Sequence, residues 1–138
     1  KEVKKRVRAY FKQNNLSTHG NRSLHVKTVV MLALYLTPFI VVLTISMSPW
    51  VALVLTVLMG IGEAGIGMSV MHDGAHGSYS SKAWANKLAA ATMFLLGSNT
   101  FNWKIQHNVK HHTYTNIDEA DDDLNAPFFL RFSPHAKH

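Results

Sequence analysis

At 138 residues, with 47% apolar side chains and no cysteine, the chain excludes a disulfide framework and a thiolate metal site, so any metal ligands must be His, Asp or Glu. Its apolar residues are concentrated in two long runs, which sets aside the expectation of a soluble globular domain. The net charge of +6 is asymmetric: Lys1, Lys4, Lys5, Arg6, Arg8, Lys12, Arg22 and Lys27 stand near the start against Glu2 alone.

Residues 1–26 read as a basic amphipathic segment on the cytoplasmic side. Val3, Val7, Tyr10 and Phe11 fall at helical spacing opposite the charges. That pattern suits an anionic lipid surface better than nucleic acid, with a plain solvated helix as the alternative. Turn formers over 14–23 end this helix. Residues 27–71 read as a transmembrane hairpin. The stretch 28–47 has no charge and 50–71 has only Glu63, so each can cross about 30 Å of hydrocarbon, and Ser48 and Pro49 form the turn. A secretory signal is excluded because a second span follows at once. Pro38 is expected to kink the first span. In the second, Gly60, Ala64 and Gly67 share a face that would admit a close helix neighbour. Glu63 lies on that face, either as a functional group or as a carboxyl used for helix packing. The uncharged turn, with basic residues before and after the hairpin, predicts that both its ends are cytoplasmic.

Residues 72–138 carry the chemistry. His72 and His76 in HDGAH are four apart, so on a helix continuing out of the second span they project from one face. HNVKHH repeats that pair with His107 and His111 and adds His112 on the adjacent flank, which lets one cluster serve two neighbouring metal ions. Between the clusters, the short apolar run 88–96 predicts an interfacial helix over about 84–100 that docks this region to the membrane. An intramembrane zinc protease would want HExxH, but the second residue here is Asp73, and that reading leaves the second cluster unexplained. A haem carrier would want histidines inside facing spans. His19, His25, His135 and His138 are expected to be surface histidines. Asp118, Glu119, Asp121, Asp122 and Asp123 lack calcium-loop spacing and read as a solvated acidic loop.

HDGAHGSYS, then WKIQHNVKHHTYTN, then DEADDDLNAP resemble the first two histidine boxes of the membrane fatty acid desaturases, in their acyl-lipid or front-end branch. The resemblance implies an all-α membrane protein, a transmembrane hairpin with cytoplasmic and interfacial helices carrying the boxes. It implies two non-haem iron ions held largely by histidine, with His72, His76, His107, His111 and His112 as metal ligands, and O2 as co-substrate. The reaction implied is insertion of a double bond into a fatty acyl lipid or acyl thioester, with an external electron donor such as a ferredoxin or a b-type cytochrome. It also suggests that some of the acidic residues orient histidines or contact Lys104 and Lys110. The family's third box and second hairpin are missing, so the chain is expected to be an amino-terminal fragment that does not turn over alone. A related membrane di-iron hydroxylase, acting on lipids or alkanes, is the nearest alternative. A non-catalytic membrane metal- or haem-binding protein is the alternative of another class.

Overall fold

A computed structural model describes residues 2–117, 119–124 and 130. Among these every regular element is helical, and the chain falls into two compact units, Lys1–Leu96 and Gly97–His138. Asp118, His135 and His138 lie outside the described residues.

The first unit opens with α1, Glu2–Gln13, which buries none of its residues. Its apolar face, with Val3, Val7 and Tyr10, is exposed, and Arg6 reaches back one turn to Glu2 at 3.0 Å. Helix α2, Arg22–Thr44, starts where the Asn21 side chain accepts the Leu24 N–H, a cap that removes one orphan donor of the first turn. Pro38 sits within this single helix without ending it. Ser48 and Pro49 prove to be the start of the next helix: Ser48 is the N-cap and Pro49 occupies the first turn, where its missing N–H costs nothing.

From there α3 runs over Pro49–Ala75. Helices α2 and α3, with 23 and 27 residues, are both long and apolar enough to cross a membrane. At 1.5 Å per residue they reach roughly 35 and 40 Å. Much of their apolar surface, including Val29, Ile40, Leu53, Val57 and Ile61, is exposed in the chain, as expected of residues that a bilayer covers. The two helices do not meet through the Gly60 face. A Cβ on Gly62 would lie 2.6 Å from the Tyr35 backbone N and 2.9 Å from Met31 O, whereas nothing lies within 4 Å of Gly60. Gly62 is therefore where the α2 backbone packs against α3, Gly65 meets the Met31 side chain one turn on, and Glu63 stays exposed beside them.

The core forms where α3 leaves the hairpin. Ile66 and Val70 are fully buried with Ala89, and Met31, Leu32, Tyr35, Tyr79 and Leu96 pack around them. Here α3 changes register: Ile66–Met71 is a π-helical stretch before α-helical His72–Ala75. The expected interfacial helix is α4, Ala83–Ala91, extended by a 3-10 stretch Thr92–Leu96. It stops short of the anticipated 84–100, because Gly97 turns the backbone at φ +72°, a conformation that costs glycine little. The 3-10 extension of α4 is tied to α2 through Tyr35 Oη, which donates to Leu95 O at 2.8 Å, and the loop before α4 is tied to α2 through Tyr79 Oη, which donates to Thr28 Oγ1 at 3.0 Å.

Asn86 of α4 clamps the loop that leads out of α3. Its Oδ1 accepts the Ser80 N–H at 2.8 Å, while Nδ2 donates to Ser80 O at 2.7 Å and to Gly77 O at 3.3 Å. Asn86→Ala should remove all three bonds and destabilise the fold by about 1–3 kcal/mol, read as a lower midpoint of thermal unfolding in detergent. An unchanged midpoint would remove the clamp from the account.

In the second unit, residues 100–114 form α5. Thr100–Trp103 is α-helical, Lys104–His111 is π-helical and His112–Tyr114 returns to α. Asn99 caps it by accepting the Asn102 N–H at 2.9 Å. A 3-10 turn, Asp122–Leu124, packs against the π stretch.

Candidate metal centre

Each histidine cluster is assembled within its own unit, at the end of or inside a π-helical stretch. Such widened turns are rare and occur often at functional sites. In the first unit, His72 and His76 lie on successive turns at the end of α3, with ring centroids 4.5 Å apart in an edge-on arrangement. His72 Nδ1 is 3.3 Å from Asp73 Oδ1. The Asp73 carbonyl accepts from Ser78 N, Tyr79 N and Ser78 Oγ, which folds the chain back immediately after the second histidine. Midway between the two histidines in sequence, buried Gly74 lets the α4 backbone pass: a Cβ there would meet Ala90 N at 2.5 Å.

In the second unit the π register explains why three histidines gather. Hydrogen bonds that reach five residues instead of four make residues i+4 and i+5 straddle residue i. His107 accordingly stacks on His111, centroids 4.8 Å apart, and meets His112 edge-on at 5.0 Å. Trp103 stacks on the other side of His107 at 4.5 Å, so the ring is held between two aromatic planes.

Within the acidic segment, Asp121 is buried and Asp122 and Asp123 reach side chains of α5, which corrects the solvated-loop reading for these three residues, while Glu119 is exposed. Asp123 Oδ2 lies 2.6 Å from His107 Nδ1, and both carboxylate oxygens of Asp121 lie 3.0 Å from His111 Nδ1. Lys110 Nζ donates to Asp122 Oδ2 at 2.5 Å. Against an ionised carboxylate, which can only accept, Nδ1 of each ring would carry the proton and leave the metal bond to Nε2. A carboxylate behind the ring is the usual accompaniment of a histidine that binds metal. His107, His111 and Asp123 also form a group whose ligand-capable atoms all lie within 4.8 Å of one another. Next to His107, Asn108 Oδ1 is buried without a hydrogen-bond partner among the described residues, an unmet acceptor of the kind a further group or water satisfies.

The side chain of Asp121 is fully buried. Burial acts to raise its pKa, but bonds from the Asn116 N–H, His111 and the Asp123 N–H, together with the charge of His111, outweigh it and hold the carboxyl below its ordinary value. A carboxyl lowered in this way adds stability above its ordinary range, and that contribution is lost as pH falls through the lowered value. Histidine-rich, cysteine-free donors of this kind suit a first-row ion such as iron. The chain's residues are therefore compatible with the metal that the family resemblance implied.

Of the five histidines read as ligands, the structure brings His72 to His76 in the first unit and His107 to His111 and His112 in the second. Spacing alone missed which carboxylate serves which ring, and it missed the roles of Gly74 and Asn86. The positive charge of Lys110 within the box and the acidic run after it were the available signal for the pairing.

A sequence profile described as fatty acid desaturase matches residues 48–138. The chain is 34% identical over its whole length to an sn-1 linoleoyl-lipid 6-desaturase of Arthrospira platensis, of which it covers 38%. It is 31% identical over 99% of its length to an sn-1 linoleoyl-lipid 6-desaturase of a Synechocystis species, again covering 38% of that protein. With an acyl-lipid (8-3)-desaturase of Physcomitrium patens it shares 34% identity over 90% of the chain and 26% of the relative. The chain thus spans well under half the length of these relatives. No solved structure matches it significantly.

Proposed function

The chain belongs to the fatty acid desaturase family, and from that premise we propose that it supplies the first two histidine boxes of an O2-dependent acyl-lipid desaturase. The observation that carries this reading is the paired carboxylate support of His107 and His111, which presents Nε2 of each ring as a metal donor. The proposed ligands are His72, His76, His107, His111 and His112, serving two iron ions.

When bound, the irons supply the oxidising power that an unactivated C–H bond demands and that no side chain of this protein possesses. In the balanced reaction an acyl CH2–CH2 becomes CH=CH, and O2 is reduced to two waters. Two electrons and two protons come from the acyl chain, and two of each come from outside. The part of this chain is to orient the ligand rings. Asp123 and Trp103 restrict the rotation of His107, and Asp121 restricts that of His111. Residues 27–71 would span the bilayer, and exposed α1 would lie on its surface with Val3, Val7 and Tyr10 toward the lipid. The basic residues before and after the hairpin favour a cytoplasmic position for both boxes, with α4 at the interface. The substrate would be a fatty acyl lipid, and the electrons would come from a ferredoxin or a b-type cytochrome.

The test is expression of the full-length protein in a host whose membranes contain the acyl precursor, followed by analysis of total fatty acids by mass spectrometry. A new double bond at one position is the expected result. Accumulation of hydroxylated acyl chains without an alkene would overturn the desaturase assignment.

A further inference from the structure

Nothing in the motif HNVKHH says what keeps its three rings aligned, and the helix that bears them is of the widened kind. The side chain that answers this lies outside the motif. Asp121 is 1% exposed as a residue, an unusual position for a carboxylate unless its charge is fully matched. Both its oxygens face His111 Nδ1 at 3.0 Å. The same oxygens accept the Asn116 N–H at 2.9 Å and the Asp123 N–H at 3.1 Å.

These bonds have two consequences. The bond to His111 fixes the tautomer and orientation of that ring. The bond to the Asp123 backbone holds the turn whose side chain, two residues on, reaches His107 Nδ1 at 2.6 Å. We propose that Asp121 is the positioning residue of the second histidine box, a buried carboxylate that holds His111 directly and His107 through Asp123. The proposal rests on the reading of His107 and His111 as metal ligands. Asp122 and Asp123 are not equivalent to it. Asp122 faces Lys110, and the Asp123 side chain is about one-third exposed.

Asp121→Asn keeps the shape and removes the acceptor-only character. The amide can turn its NH2 toward His111, which favours the tautomer with the proton on Nε2, the one that cannot bind metal through that nitrogen. In the full-length protein, anaerobic titration with Fe(II) alone should show a 10–100-fold loss of affinity, the range found when partners behind metal ligands are removed. The thermal midpoint of the metal-depleted protein should change far less than its affinity. His111→Ala is measured in parallel. If it lowers affinity while Asp121→Asn binds iron as the parent does, the positioning role is wrong and the ligand reading stands. If His111→Ala also binds as the parent does, the ligand reading fails and takes the proposal with it.

Should Asp121→Asn not fold, the unsubstituted metal-free protein still decides the matter. Nitrogen-15 resonances of His111, read at a pH where the ring is neutral, should report its proton on Nδ1, and a neutral ring with its proton on Nε2 would overturn the assignment.

Discussion

Replacing His107 with alanine in the full-length protein is expected to abolish the acyl product and to lower iron affinity by more than about 100-fold. The lower bound follows from comparison: removing a group behind a ligand already costs about 10–100-fold, and removing the ligand removes the metal bond itself. His107 is also the ring with the most to hold together. It stacks on Trp103 and His111, meets His112 edge-on and accepts the support of Asp123. Its loss therefore loosens both other histidines of the box. Iron content per protein and fatty acid profiles of the expressing host provide the measurements, with His19→Ala as control. His19 is exposed, and its backbone N–H bonds the nearby Ser17 hydroxyl, so that variant should retain product and iron. Product formation by His107→Ala at the parent level would remove the second box from the metal site.

The two apolar helices were legible because an apolar run of twenty or more residues with at most one ionisable group has few other uses. The continuation of α3 into HDGAH was legible as well, since nothing between Glu63 and His76 breaks a helix. What sequence could not show was register. Whether a turn closes on i+4 or i+5 is a property of backbone hydrogen bonds, and the residues of Lys104–His111 carry no mark of it. Yet that choice is what brings His112 to His107. The same limit applies to the small residues of α3. Gly60, Gly62, Gly65 and Gly67 occur at spacings that populate more than one face, and composition alone does not say which face meets α2. The structure answers with Gly62, whose missing side chain admits the Tyr35 backbone. The carboxylates posed a problem of pairing. Asp121 and Asp123 follow His111 and His107 by 10 and 16 positions, across a turn whose course the residue types left open, so spacing read the segment as solvent-facing, and the family resemblance suggested that some of its carboxylates orient histidines without saying which.

Gly74→Ala should damage the first box as severely as a ligand substitution damages the second, and for a steric reason. The added Cβ would lie 2.5 Å from Ala90 N, 2.7 Å from Ala89 Cβ and 2.8 Å from Asn86 O. Two of these are backbone atoms, which cannot rotate away, so α4 must move off α3 or α3 must bend. Overpacking of this kind costs about 1–3 kcal/mol. Here it also falls between His72 and His76, whose rings sit 4.5 Å apart and whose convergence depends on the turn that Gly74 occupies. Lower thermal stability in detergent and lower iron content are both expected, together with reduced product. A second substitution separates backbone crowding from side-chain crowding. Ala89→Gly removes only the 2.7 Å contact, so Gly74→Ala combined with Ala89→Gly should remain close to Gly74→Ala alone. Full recovery by the double variant would mean that the two helices approach through side chains, and that the glycine within HDGAH is there for some reason other than the passage of α4.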